Sequence, residues 1–282
     1  MSNIQKAFEN KKAFIPFITC GDPDLETTKA LVRTAAENGA DLIELGIPFS
    51  DPTAEGPVIQ EANIRALSGG VTTDRIFDMV SELRKDVKIP MVFMTYANVV
   101  FSYRWDGVSG RAVPSGNGTG KELPDSAAGG AEGFIRRCRE TGIDGLILPD
   151  LPFEEKEEFL PLCHQYGIDL ISLIAPTSAD RVAMIAKEAE GFIYIVSSLG
   201  VTGVRSEIST DIASIVKLIR ENTKIPCAVG FGISTPAQAA AMAAVSDGAI
   251  VGSAIVRIIA KYGKDSPGPV GEYIRSMKDA LR

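Results

Sequence analysis

Asp41-Leu-Ile-Glu-Leu-Gly-Ile-Pro-Phe-Ser-Asp-Pro-Thr-Ala-Glu-Gly-Pro57 opens as an apolar run interrupted by a single charge and closes in a segment punctuated by glycine and proline. The first half reads as a short strand buried on both faces, and the second as the loop that leaves it. A carboxylate inside such a strand is costly to desolvate, so Glu44 needs either a partner or a task. Taken alone, the strand allows both a salt-bridged structural Glu and a working one. Glu55 lies eleven positions further on, in the loop.

The pattern repeats along the chain. Strand-like runs fall at 13–19, 42–48, 90–96, 145–150, 169–175, 192–198, 226–232 and 248–254, with amphipathic stretches at 25–39, 73–87, 154–167, 179–191, 211–222 and 236–245. Continuously apolar strands imply burial on both faces, and strict alternation with helices implies parallel pairing through right-handed crossovers. Eight such units close most economically into a (β/α)8 TIM barrel, here a single domain spanning 1–282; an open doubly wound sheet is the alternative. The pieces Asn38-Gly-Ala-Asp41, Thr141-Gly-Ile-Asp144 and Tyr166-Gly-Ile-Asp169 each place a glycine just past a helix, before the next strand. Residues 104–133 break the rhythm: eight glycines, two prolines and no sustained apolar period predict a Gly-rich loop after the third strand. Its 116–121 piece lacks the spacing of a phosphate loop, and Glu122 stands where Ser or Thr is required.

Composition narrows the function. A net charge of −7 with no basic cluster excludes nucleic acid and anionic membrane as expected partners. Neither a signal-like N-terminus nor a membrane-length apolar run is present, so a cytoplasmic protein is expected. Cys20, Cys138, Cys163 and Cys227 are widely spaced and read as buried free thiols. No lysine stands at a predicted strand end, which disfavours a Schiff-base aldolase. The single histidine, His164, falls within a helix and reads as structural, so no metal site is expected.

In a barrel, reacting groups sit at the C-terminal strand ends and the loops beyond them. Three glycine-bearing loops follow the last three strands: Gly200-Val-Thr-Gly203, Gly230-Phe-Gly-Ile-Ser234 and Gly252-Ser-Ala254. With the N-terminus of a short helix beginning at Ser253, they predict a phosphate site.

These residues also carry a resemblance. The stretch Ile43-Glu-Leu-Gly-Ile-Pro-Phe-Ser-Asp-Pro-Thr-Ala-Glu-Gly56 resembles the signature of the tryptophan synthase α-subunit family. Phe17-Ile-Thr-Cys-Gly-Asp-Pro23, Tyr96-Ala-Asn98, Pro149-Asp-Leu-Pro152 and the three glycine loops support it in order. The resemblance implies retro-aldol cleavage of indole-3-glycerol phosphate to indole and glyceraldehyde 3-phosphate. It implies Glu44 as the general acid/base and Glu55 as the acceptor for the indole N–H. Better-studied members carry Asp at the position of Glu55, although the family pattern accepts either. Phe17, Tyr194 and Phe231 resemble residues lining the indole pocket, Tyr96 is expected among the substrate-binding residues, and Thr202 resembles the loop residue that meets the acidic group on closure. Gly203, Gly232, Gly252 and Ser253 resemble the phosphate contacts. The resemblance further implies a separate β subunit in an α2β2 assembly, with pyridoxal phosphate in that partner and no cofactor in this chain. Against the family pattern, residues 104–129 look inserted, with Trp105 inside them, and are expected to weaken β-subunit docking. A β-independent indole-3-glycerol phosphate lyase and an idle barrel displaying the inserted loop are the alternatives.

Overall fold

The computed structural model describes residues 2–104, 129–196, 211–230 and 232–282. Within them, nine parallel strands form one sheet: β1 (Ala13–Thr19), β2 (Ile43–Gly46), β3 (Met91–Met94), β4 (Gly145–Ile147), β5 (Asp169–Leu170), β6 (Ser172–Ile174), β7 (Ile193–Val196), β8 (Cys227–Gly230) and β9 (Gly248–Val251). The order β5-β4-β3-β2-β1-β9-β8-β7-β6 leaves β5 and β6 at its two ends. Only Ile171 separates those two segments, so the sheet closes on itself as the (β/α)8 barrel that the alternation predicts. The expected fifth strand is thus split. Its first half pairs with β4, Ile171 N–H donates to Leu146 O at 2.9 Å, and its second half pairs with β7.

The helices are α1 (Asn3–Lys6), α2 (Leu25–Glu37), α3 (Pro57–Ser68), α4 (Thr73–Leu83), α5 (Ala97–Ser102), α6 (Gly130–Thr141), α7 (Leu160–Tyr166), α8 (Ala179–Lys187), α9 (Ile212–Asn222), α10 (Pro236–Val245), α11 (Ser253–Tyr262) and α12 (Pro267–Asp279). The stretch expected as one helix over 154–167 is instead a 3-10 segment, Phe153–Glu158, followed by α7. Pro161 sits in the first turn of α7, where its missing N–H is harmless, whereas inside a continuous helix it would remove a bond and clash with the preceding turn. The expected fourth strand, 145–150, ends at Ile147, since Pro149 cannot donate to a ladder. Gly142 ends α6 with φ +89°, the left-handed turn from which the chain enters β4.

Alternation along each strand divides the core. On β2 and its flanks, Ile43, Leu45 and Ile47 face the helices, whereas Leu42 joins the barrel interior with Ile15, Phe17 and Val92. Parity therefore sends Glu44 inward, level with Phe17 of β1 and Val92 of β3. The opposite end of the barrel is stoppered by α1 and the turn after it, whose Ile4, Ala7 and Phe8 join the interior cluster, with the Phe8 and Phe192 rings 5.6 Å apart. A Cβ on Gly145 would come within 2.7 Å of Ile4 Cδ1, so a glycine is needed there for the stopper to seat. Solvent and ligands are left with the C-terminal mouth.

Candidate active site

At that mouth lies a cavity bounded by Glu44 and Glu55, the aromatic walls Phe17 and Tyr194, and the residues Gly232, Gly252 and Ser253. Residues expected from different units of the chain thus meet in one place. Two of the walls depend on glycines in neighbouring strands. A Cβ on Gly46 would lie 2.4 Å from Phe17 Cζ, and one on Gly230 would lie 2.4 Å from the Tyr194 hydroxyl. Each ring leans along its strand over the next strand's glycine, and each glycine is two positions beyond the ring in register, as Thr19 pairs with Gly46 and Val196 with Gly230.

Glu44 is 1% exposed, and its Oε2 makes no hydrogen bond among the described residues. Burial, with the nearby charge of Glu55 adding to it, raises its pKa to about 8. Glu44 therefore holds a proton near neutrality but can release it, which suits a general acid/base. Among the described residues no cation pairs with it, so within them the salt-bridged reading of this strand carboxylate finds no support.

Glu55 leaves the loop after β2 and reaches the same cavity, 6% exposed. Burial raises it to about 7, while the amide of Asn63 pulls the other way by donating to Oε2 at 2.6 Å. Gln60 Nε2 donates to the backbone oxygen of Glu55 at 2.7 Å. Both amides come from α3, which starts two residues after Glu55. Tyr96 stands behind this loop and does not bound the cavity. Its hydroxyl accepts from Ala54 N–H at 3.1 Å and its ring lies 5.1 Å from that of Phe49. Among the expected substrate-binding residues, Tyr96 thus braces the carrier of Glu55 while Phe17 and Tyr194 form the walls.

Across the cavity, α11 begins at Ser253 with Gly252 as its N-cap, so no side chain caps the first turn. The first backbone amides of a ten-residue helix are thereby left for a ligand at the end where the helix dipole favours an anion. Gly232, with φ +77°, brings the β8 loop to the same side. Thr202, Gly203 and Phe231 lie outside the described residues, as does Trp105. Among the described residues no cluster of histidine, cysteine and carboxylate side chains is fit to hold a metal.

The sequence model of the tryptophan synthase alpha chain matches residues 3–114 and 127–280. The chain belongs to that family. The tryptophan synthase alpha chain of Lacticaseibacillus casei is 43% identical to it over all of this chain and 96% of the relative. The solved α subunit from Legionella pneumophila superposes with a TM-score of 0.83 at 35% identity, covering 100% of this chain and 98% of that one. A chain of the tryptophan synthase complex from Pyrococcus furiosus gives 0.77 at 30% identity, covering 95% and 98%. As a tryptophan synthase α chain, this protein is matched by the family model with one interior gap, residues 115–126. That gap is narrower than the inserted segment expected at 104–129, because 104–114 and 127–129 fall inside the matched spans.

Sequence reading missed Asn63, Ile59, Met94, Ile233 and Ile250 at this site. A signal for Asn63 was available. It shares the helical spacing of Ile59, Ala62 and Ala66 and is the polar member of that buried face.

Proposed function

We propose that this α chain cleaves indole-3-glycerol phosphate to indole and glyceraldehyde 3-phosphate. The observation that carries this reading is the pairing of two buried carboxylates of unlike support in one cavity, across from an uncapped helix N-terminus. The substrate phosphate docks on the amides at Gly252–Ser253 and on the Gly232 loop, and the indole lies between Phe17 and Tyr194. Glu44 gives its proton to indole C3, and Glu55 accepts the ring N–H and stabilises the positive charge that develops on the ring. Glu44, now ionised, takes the proton of the side-chain hydroxyl next to C3. The C–C bond breaks, its electron pair returns to the ring, and the hydroxyl carbon leaves as the aldehyde. Both protons are accounted for, and Glu44 ends as it began.

The catalytic face also exposes apolar residues: Ile64 and Leu67 on α3 are 64% and 38% exposed, and Phe101 on α5 is 42% exposed. These exposed apolar side chains on α3 and α5 support a β subunit docking at these helices in an α2β2 assembly that carries its own pyridoxal phosphate, with the segment beyond Arg104 weakening the contact. Among the described residues no helix is long and apolar enough to cross a membrane, and we assign the protein to the cytoplasm. The test is steady-state release of indole from indole-3-glycerol phosphate by the purified chain, with and without a cognate β subunit. Absence of turnover in both conditions would overturn the reading.

A further inference from the structure

Glu55 differs from Glu44 in that no ladder positions it. Its backbone lies in a loop, and its side chain is buried, where an ionised carboxylate needs donors to remain charged and in place. Among the described residues one side chain donates to it, the amide of Asn63, at 2.6 Å from Oε2. Asn63 is itself only 3% exposed and sits on the face of α3 that Ile59 and Ala62 pack into the barrel interior. The helix is anchored in turn. Arg65, two residues on, makes two 2.8 Å bonds to the carboxylate of Asp22 in the loop after β1, and Asp22 is 1% exposed. A bidentate pair of this kind fixes orientation as well as distance. The chain from β1 through Asp22, Arg65 and α3 to Asn63 therefore sets where Glu55 Oε2 lies.

We propose that Asn63 is a positioning residue for the reaction: it holds Oε2 of Glu55 and thereby leaves Oε1 as the oxygen that serves the substrate's ring N–H. The inference rests on the reading of Glu55 given above. It goes further in assigning the two carboxylate oxygens separate tasks, one structural and one chemical. The donated bond also favours the ionised form, the form that can accept from N–H. The ionisable groups coupled to Glu55 are Glu44 from β2 and Tyr96 from the start of α5.

A buried asparagine with a purely structural role would change stability and leave the ionisation of the site alone. The experiment therefore combines Asn63→Leu, Glu55→Gln and the double variant in the full chain, reading kcat/KM against pH. Asn63→Leu is expected to lower kcat/KM at neutral pH by about 10-fold to 100-fold, the range for losing a hydrogen bond to a charged group. Its acid limb is expected to move up by about one pH unit, because Glu55 becomes harder to ionise. In the Glu55→Gln background the same change is expected to cost less than about twofold, since residues acting through one another are not additive. An equal loss in both backgrounds, or an unmoved acid limb, overturns the proposal. Should Asn63→Leu fail to fold, Asn63→Asp keeps the shape and sets a like charge beside Glu55. It should move the limb in the same direction and further, and an unmoved limb there is equally decisive. Calorimetric binding of an indole bearing a phosphorylated three-carbon tail without the cleavable hydroxyl separates the two failures. If the parent chain neither binds it nor turns over substrate, the functional reading fails; if the parent does both and Asn63→Leu matches it, only the role of Asn63 fails.

Discussion

Glu44 and Glu55 share a cavity but are supported in opposite ways, and the contrast explains how two identical functional groups can do different work. Glu44 hangs from a strand whose neighbours on both sides pair with it in register, so its backbone is immobilised without help from the side chain. Among the described residues its Oε2 can then remain without a hydrogen bond, and a buried carboxyl oxygen left so is one that can give and take a proton. Glu55 has no ladder, so its side chain must be tied down, and the amide that ties it also favours its charge. Backbone support thus leaves Glu44 chemically free, whereas the side-chain bond to Glu55 favours its ionised form against the upward pull of burial.

The comparison breaks most sharply at Glu44. Glu44→Gln keeps the shape and removes the exchangeable proton, and turnover should fall about a thousandfold, the scale of general acid–base catalysis, with substrate binding nearly unchanged. The same variant tests the cost of the freedom. Burial lifts Glu44 to about 8 and Glu55 to about 7, above their unfolded value of 4.5. The folded state therefore holds protons that the unfolded state releases, so stability is full below about pH 4.5 and declines as pH rises toward 8. Glu44→Gln should flatten that decline and be more stable than the parent at pH 8 by a few kcal/mol, on the order expected for a shift of a few pH units. Denaturant unfolding at pH 5 and pH 8 measures it, and a parallel decline in both proteins would sink the argument.

Glu55→Gln should cost less, about a hundredfold in kcat, since it removes charge stabilisation but not the proton carrier. A loss equal to that of Glu44→Gln would mean that both groups move protons and that the division of roles is wrong. Gly46→Ala tests the wall beside Glu44. The new methyl would sit 2.4 Å from Phe17 Cζ, so the ring must shift, with an expected loss of about 1–3 kcal/mol in unfolding free energy and weaker binding of the indole end. The smallest effect is expected from Tyr96→Phe, which removes the acceptor for Ala54 N–H. Loosening the loop by about 1 kcal/mol should lower kcat/KM roughly fivefold, without the pH shift predicted for Asn63.

Much of this was legible in the residues because it depends on local pattern. Buried parallel strands are continuously apolar, so eight runs between amphipathic stretches announce the barrel, and one charge in such a run marks a residue that needs a partner or a task. Gly142 declares the end of α6 through its own backbone freedom. The break at Ile171 was not legible. Residues 169–175 have the composition of a single strand, and the split arises from closing the sheet, with β5 following β4 while β6 follows β7. Tyr96 was legible as a site residue but not as a brace, since its hydroxyl finds Ala54 only when the two loops are brought together. The short α1 gives no strong periodic signal over four residues, yet it closes the bottom of the barrel.

By itself the sequence determined the alternation of elements, the charge of Glu44 within a buried strand and the glycines in the loops after the last strands. Each of these follows from residue type and spacing along a few neighbouring positions. Only the tertiary structure decided which groups meet: Phe17 over Gly46, Tyr194 over Gly230, Asn63 on Glu55, and Arg65 on Asp22. Those pairings join separate secondary-structure elements, and the distances between them are set by how the strands register and the barrel closes.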